Sequence, residues 1–223
     1  MENHPPLILE NFYSGNLTWL TATSDAIVPI SLLMDNPFEQ TKIKAIDLTI
    51  WSEEALHIAS IDEMHVNTLS VKPGDSIELT FTLKPYQEPP STNKVTLAIP
   101  DDTPDGLARV VVADAKSIKS FEKARAPHAL RPETLSQLIN LLETMERNNE
   151  VVAMIYRIAH GITVGGQELP SPPSSLVSVM SSSKAKGDVG PTKGTVLSKE
   201  RIPTDYFIVG SHSIDLRIER KSP

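Results

Sequence analysis

The sequence contains no cysteine, so the chain can form no disulfide, thiolate nucleophile or thiolate metal site. This absence alone does not decide the compartment. Long apolar runs are missing too: no stretch of about 18 or more apolar residues is present, which excludes a membrane-spanning helix in the sequence as given. The first six residues lack the basic start and apolar core of a signal peptide. We therefore expect either a cytoplasmic protein or a mature fragment.

Positive charge is in deficit, with a formal net charge of −7 and a pI near 5.4. A surface that neutralises phosphates needs a net basic face, so the balance argues against nucleic-acid binding. Glycine is also sparse, with 10 residues against 18 prolines, and hydrophobic content is 39%. This composition favours many strand ends and loops over long helices. The length of 223 residues suits one large β domain or two small ones.

The clearest pattern lies in residues 69–114, where apolar and polar residues alternate with a period of two. Such alternation predicts half-buried antiparallel strands, with one row on a core and one in water. A more uniformly apolar run follows at residues 107–113. Turn signals separate the strands, because proline presets φ, glycine accepts positive φ and aspartate bonds its own backbone. The apolar rows are Ile77, Leu79, Phe81, Leu83 and then Val95, Leu97, Ile99; the turns are Pro73-Gly74-Asp75 and Pro104-Asp105-Gly106.

Two further strands are predicted upstream. Residues 42–51 carry the row Ile46, Leu48, Ile50, and residues 56–66 alternate with a slip near Ser60-Ile61 that a bulge would correct. Five strands with short turns predict an immunoglobulin-like β-sandwich over residues 36–115.

Residues 1–35 precede this sandwich and are predicted to be an N-terminal lead-in. It contains a short helix that begins at the capping residues Ser24-Asp25. Trp19 and Leu20 are expected to anchor the lead-in to the rest of the protein.

Residues 116–223 predict an α+β region packed on the first domain. A helix is expected at 117–126, and a second, well-defined amphipathic helix at 135–147 starts with the capping box Thr134-x-x-Gln137. We expect the second helix to dock the C-terminal strands against the rest. Those strands are predicted at 150–158, 195–202, 206–209 and 213–219, with a hairpin turn at Gly165-Gly166 and a loop over 171–193.

Two groups of side chains could in principle bind a metal. Asp101, Asp102 and Asp105 place three carboxylates in one segment, but they lack the ligand spacing of an EF-hand, and a plain turn is favoured. Whether they bind calcium stays open. The histidines never form the close H-E-x-x-H pair that holds zinc, so surface histidine is favoured over a metal site. They are His4, His57, His65, His128, His160 and His212.

Three other patterns are candidate sites. Gly210-Ser211-His212-Ser213 lacks the nucleophile elbow G-x-S-x-G and favours a turn, and residues 187–194 lack the Walker pattern around Lys193 and favour a loop. Trp51 is a candidate platform for stacking a sugar. Because aromatics are just 5% of the chain, coverage of Trp51 by the lead-in is the favoured interpretation. The sequence predicts no catalytic residue, cofactor site or metal site.

The order of these signals resembles a known arrangement over residues 36–218. The matching residues are Asn36-Pro37-Phe38, Val71-Lys72-Pro73-Gly74-Asp75, Leu83-Lys84-Pro85-Tyr86, Ile99-Pro100-Asp101-Asp102-Thr103-Pro104-Asp105-Gly106, Leu135-x-x-Leu138-Ile139, Leu169-Pro170-x-Pro172-Pro173-Ser174 and Ile202-Pro203-Thr204-Asp205-Tyr206. They resemble the non-catalytic C-terminal region of large bacterial proteins that begin with a sporulation protein IVB-type serine peptidase domain. The chain departs from that pattern at Gln87-Glu88-Pro89-Pro90, where an arginine-glycine turn is usual.

The resemblance implies a non-enzymatic, extracytoplasmic segment, periplasmic or on the cell surface, downstream of a peptidase domain that this chain lacks. It transfers no catalytic residue. The leading hypothesis is therefore an accessory region that packs on or orients another domain of the same polypeptide. A carbohydrate-binding module and, less favoured, a small hydrolase are the alternatives.

Overall fold

The computed structural model describes residues 5–16, 18–164, 167–169 and 189–220. This part of the chain is mainly β and contains two sheets and three helices. The helices are α1 (Thr18–Met34), α2 (Ala115–Arg125) and α3 (Leu135–Glu143). The strands are β1 (Ile58–Val66), β2 (Ser70–Val71), β3 (Ser76–Pro85), β4 (Ser91–Ala98), β5 (Gly106–Ala113), β6 (Glu150–Val164), β7 (Gln167–Leu169), β8 (Val189–Pro203), β9 (Phe207–Val209) and β10 (Ser211–Ile218).

The four-stranded sheet has the order β4-β3-β1-β9. Its centre is β3, where the predicted alternation is confirmed: the apolar row is buried and the polar row is exposed or half-buried. The predicted bulge in β1 is also present, because the register between β1 and β3 shifts between Ile61 and Glu63. The turn signals fall where β3 begins and where β4 gives way to β5.

The six-stranded sheet has the order β2-β10-β5-β6-β7, and β8 pairs along the other edge of β6. Strand β5 pairs antiparallel with both β10 and β6. The segments predicted as residues 36–115 and 116–223 therefore contribute strands to the same sheet.

One hydrophobic cluster contains residues of both sheets, which places the main core between them. Phe81 of β3, Val110 of β5 and Ile155 of β6 all belong to it and are at most 1% exposed. Strands β5 and β6 are buried on both faces where α2 covers the outer face of their sheet. There Ile118 of α2 packs with Met154, and the aromatic rings of Phe121 and Tyr156 lie 4.7 Å apart. The sequence of a strand that is buried on both faces is typically a continuous apolar run.

A separate cluster joins α3 to α1. Leu135, Leu138 and Leu142 of α3 are buried against Leu33 of α1, with Leu7 and Phe38 at the margin. The expectation that α3 docks the C-terminal strands is corrected here, since its apolar face meets the N-terminal part of the chain. The helix also ends at Glu143 rather than at residue 147.

The predicted start of α3 is confirmed. Thr134 is the N-cap, and its side chain accepts a hydrogen bond from the backbone N–H of Gln137 at 3.2 Å. The Gln137 side chain accepts in turn from the N–H of Glu133 at 2.7 Å. These two bonds satisfy donors that a helix start would otherwise leave without a partner.

Helix α1 is longer than predicted and begins six residues before Ser24. Ser24 is not its cap: the Ser24 hydroxyl donates to the carbonyl of Leu20 at 3.0 Å, and Thr23 bonds Trp19 in the same way at 2.7 Å. This bonding to the residue four positions back satisfies the hydroxyl inside a helix. Pro29 therefore lies in the helix interior rather than in its first turn.

The strand predicted at residues 42–51 does not form. A strand needs a neighbouring backbone, and residues 42–56 make no backbone hydrogen bond to any other residue that the structure describes. The loop predicted over 171–193 is also corrected, because residues 189–193 belong to β8. Residues 171–188 and the turn residues Gly165-Gly166 lie outside the described residues.

A candidate interaction surface

The lead-in is held by polar contacts rather than by the tryptophan expected to anchor it. The Tyr13 hydroxyl donates to Asp25 of α1 at 2.6 Å, and Asn11 accepts from the backbone N–H of Asn148 at 2.8 Å. Arg147 forms an ion pair with Glu10 at 2.5 Å. Burial and the hydrogen bond to Asp25 raise the pKa of Tyr13. These contacts fix α1 against the connection between α3 and β6.

Helix α1 presents a large apolar surface to solvent. Among its residues only Leu33 is buried. Six large apolar side chains of α1 are between 46% and 67% exposed: Trp19, Leu20, Ile27, Val28, Leu32 and Met34. Leu20, Ile27 and Met34 recur every seven residues, or two helical turns, so they lie on one side of the helix. Clustered exposed apolar side chains of this kind mark interaction sites more often than ordinary surface.

The segment between α1 and β1 is extended and exposed, although both of its ends are fixed. Thr41 accepts a hydrogen bond from the side chain of Asn36 at 2.8 Å. At the other end the His57 N–H donates to the Ser14 hydroxyl at 2.9 Å, and the His57 carbonyl accepts from the N–H of Phe207 at 2.8 Å. We call residues 42–54, between these anchors, the extended arm.

The extended arm exposes the apolar row that the sequence predicted to be buried. Ile46, Leu48 and Ile50 are 58%, 65% and 69% exposed. Trp51 is 88% exposed, so the expectation that the lead-in covers it is wrong. The indole ring is available to a ligand or a partner.

A cleft of about 240 Å³ lies between the C-terminal end of α1 and α3. Leu32, Phe38 and Leu138 line it, together with Pro37 and Pro132. The cleft continues the apolar surface of α1 toward the cluster that holds α1 and α3 together. Its polar lining comes from Ser31 of α1 and from Asp35 and Asn36, which directly follow the helix.

A second, more polar cavity of about 220 Å³ lies under α2, on the outer face of the six-stranded sheet. Arg109 and Asp215 form a bidentate ion pair there, with N–O distances of 2.5 and 3.1 Å. The hydrogen bond from Arg109 holds the pKa of Asp215 below its usual value, and the same bond raises the pKa of Arg109. The ion pair ties β5 to β10.

The serine and histidine side chains beside this cavity do not form a nucleophile and base pair. Nε2 of His212 lies 3.1 Å from the backbone carbonyl of Ile61. Gly210 alone makes the turn, at φ +102°, and Ser211, His212 and Ser213 belong to β10, which corrects the prediction of a turn over all four residues. Gly210 also donates its N–H to the carboxylate of Asp114, the N-cap of α2, at 2.6 Å.

The three aspartates of the β4–β5 connection face different partners. Asp101 lies against Gly74, where a Cβ would be 2.4 Å from its Oδ1, and Asp105 accepts from the backbone N–H of Arg220 at 3.3 Å. Asp102 is exposed. Gly74 has φ +87°, so the turn needs glycine both for space and for backbone conformation.

The histidines are also dispersed. His57 pairs with Glu53 at 2.8 Å, His65 lies 3.6 Å from Glu63, and the His128 ring packs against the backbone of Gly190 in β8. His4 lies outside the described residues. Within the described residues no group of three histidine, aspartate or glutamate side chains is arranged to hold a metal ion.

The buried ionic network around Arg125 had no counterpart in the sequence predictions. Arg125 is 5% exposed and contacts Glu122, Glu168 and the carbonyl of Gly194. Burial lowers the pKa of Arg125, but the hydrogen bond to Glu168 and the charge of Glu122 outweigh it and raise the pKa overall. The pair of Glu122 and Arg125 at helical spacing was a signal for part of this network. Glu168 is 43 positions away along the chain, so no local pattern could reveal it.

Comparison of the chain with protein-family models, with curated proteins and with solved structures found no match. None of the helices in the described part of the chain is both long and apolar enough to cross a membrane. The largest group of exposed apolar side chains in the described residues lies on α1 and the extended arm.

Proposed function

We propose that the chain is a non-catalytic accessory region of a larger extracytoplasmic bacterial protein and that it docks through α1 on another domain of the same polypeptide. In this proposal the two sheets form an immunoglobulin-like sandwich, which serves as the rigid support. The resemblance to peptidase-associated C-terminal regions supplies the context, and it gives this chain no catalytic residue.

The apolar surface of α1 is the observation that carries the proposal. The helix contributes one buried leucine to its own molecule and leaves six large apolar side chains at least partly in water. Burying a side chain of this kind on a partner contributes about 1.5–3 kcal/mol. A helix with that surface, fixed by Tyr13, Asn11 and the α3 cluster, is already oriented for docking, which lowers the entropic cost of binding.

The experiment starts from the open reading frame that encodes the chain. The domain encoded before residue 1 is produced separately and titrated into this chain. A Trp51→Phe variant leaves Trp19 as the one tryptophan, since the sequence contains two. We expect the emission of Trp19 to shift to the blue on binding, because docking removes the indole from water.

A substitution on α1 and a matched control complete the test. Ile27→Asp should weaken binding by about tenfold or more, since it places a charge in the apolar contact. Lys84→Ala, an exposed change on β3, should leave binding unchanged. A reading frame that encodes no further domain, or a domain that does not bind, would contradict the proposal.

Trp51 supports carbohydrate binding as a second candidate function. Trp51 is 88% exposed and lies on an extended segment, a position suited to stacking on a sugar face. Isothermal titration with a panel of cell-wall glycans tests this candidate, with quenching of Trp51 fluorescence in a Trp19→Phe variant as the site-specific readout. Equal glycan affinity in Trp51→Ala and in the unmodified chain would exclude the site.

A further inference from the structure

The extended arm has the sequence of a β-strand and the surroundings of a loop. Its alternating row Ile46, Leu48, Ile50 is exposed, and its backbone N–H and C=O groups have no backbone partner within the described residues. An unpaired strand that exposes apolar side chains is a template for pairing with another chain. Residues at both ends of the arm, Thr41 and His57, hydrogen-bond to earlier parts of the chain.

The sequence of the arm is complementary to the same sequence running antiparallel in a second copy, when Leu48 is the central residue. In an antiparallel pair centred there, Leu48 faces Leu48 of a second copy, and Ile46 faces Ile50 on either side. Further out, Lys42 faces Glu54, so an opposite-charge pair closes each end. Asp47 faces Thr49 and meets no like charge. Directly opposed aliphatic and opposite-charge pairs stabilise antiparallel strands.

From this complementarity we infer that the extended arms of two copies of this chain pair as an antiparallel two-stranded ribbon, with a two-fold axis at Leu48. The interface is isologous, as in most protein dimers, because each copy offers the same surface. Glu54 is free to make the intermolecular pair, since it is Glu53 that bonds His57 within the molecule. This inference concerns the arm and does not depend on the docking role proposed for α1.

Other arrangements of two arms are less favourable. A parallel pair in register would set Lys42, Lys44 and Asp47 opposite their own copies, and like charges directly opposite are destabilising. An antiparallel pair centred on Asp47 opposes two aspartates. One centred on Thr49 places Ile46 opposite Ser52 and loses part of the apolar row. The centre at Leu48 alone opposes all three aliphatic residues to aliphatic residues.

Disulfide trapping tests the register directly, because the chain has no cysteine of its own. In the proposed ribbon the two Leu48 Cα atoms lie about 4.5–5.5 Å apart, within the range that a disulfide spans. The two Ile46 Cα atoms lie about 14 Å apart, because Ile46 faces Ile50 of the other copy and the two Ile46 residues are offset by four residues along the strands. Under mild oxidation Leu48→Cys should form disulfide dimers at least about tenfold faster than Ile46→Cys.

Ile46→Cys is a matched control, since the two positions are similarly exposed and belong to the same row. Equal rates in the two variants would mean random collision and would overturn the inference. A faster rate in Ile46→Cys would overturn the register. The unmodified chain is examined in parallel by sedimentation up to about 0.5 mM, and a monomer throughout would also overturn the dimer.

Charge reversal gives an independent test in the Leu48→Cys background. Lys42→Glu and Glu54→Lys should each slow homodimer trapping several-fold, because each puts like charges at both ends of the ribbon. A mixture of the two variants should trap heterodimers at the original rate, since every opposed pair is then of opposite sign. No preference for the heterodimer would contradict the predicted pairing.

The readouts keep this inference separate from the docking role of α1. In Trp19→Phe the emission of Trp51 reports on the arm, whereas in Trp51→Phe the emission of Trp19 reports on α1. A chain that stays monomeric but shields Trp51 on adding the upstream domain would show that the domain, and not a second copy, covers the arm. That result would refute the ribbon and leave the docking proposal intact.

Discussion

Leu138→Asp should release α1 and α3 from each other while leaving the two sheets folded. Leu138 belongs to a cluster of four buried leucines that is distinct from the core between the sheets. Four leucines contribute about 6–12 kcal/mol of gross burial, since each contributes about 1.5–3 kcal/mol. One leucine therefore supplies a substantial share of the apolar contact that holds α1 and α3 together.

The substitution weakens this contact in two ways. Removing a buried leucine side chain costs about 2–5 kcal/mol. The carboxylate that replaces it would lie among Leu33, Leu135 and Leu142 with no cation in the cluster, which adds the cost of burying a charge. The helices should open locally so that the carboxylate reaches water.

Native-state hydrogen exchange read by mass spectrometry distinguishes local from global opening. We expect faster exchange in peptides from α1 and α3 and unchanged protection in β3, β5 and β6. Glu143→Ala on the exposed side of α3 is the control and should change stability by less than about 0.5 kcal/mol. An equal loss of protection in β3 would refute the reasoning, because it would make the helices and sheets one cooperative unit.

Phe81→Ala should cost about 3–5 kcal/mol in urea unfolding, since Phe81 is 1% exposed in the core between the sheets; a loss below about 0.5 kcal/mol would contradict that packing. The raised pKa of Tyr13 means that its contribution to stability is complete below the unfolded-state pKa of about 10 and is lost as the pH rises toward the folded-state value. Urea titrations from pH 8 upward should therefore show a smaller alkaline loss in Tyr13→Phe, and identical pH profiles would count against the Tyr13–Asp25 bond. Thermal melts in excess Ca²⁺ and in EDTA should coincide, because Asp101 and Asp105 face different partners; a rise of several degrees with Ca²⁺ would show a site that binds the native state.

Local patterns in the sequence were sufficient for several elements. The period of two around Phe81 predicts a strand with one buried face, and the capping box at Thr134 predicts where α3 begins. The slip near Ile61 predicts a bulge. Each of these features depends on residues close together in the chain, so a short window contains the whole signal.

Local patterns do not predict which distant parts of the chain contact each other. The apolar run of β6 predicts burial, but only the fold shows α2 on one face and the four-stranded sheet across the other. The stripe of α3 predicts a contact, and only the fold shows that the contact is Leu33 of α1. Periodicity states that a face is buried and does not state against what.

The extended arm shows most clearly that an alternating pattern does not predict whether a strand is paired. The row Ile46, Leu48, Ile50 alternates as regularly as the row around Phe81, yet β3 lies between β1 and β4 whereas the arm has no paired neighbour in the described residues. Composition, charge and strand pattern were determined by the sequence itself. Which strands pair, and which apolar rows stay in water, was decided by the tertiary structure, because a strand is completed by the hydrogen bonds of a second backbone that the sequence of the first does not contain.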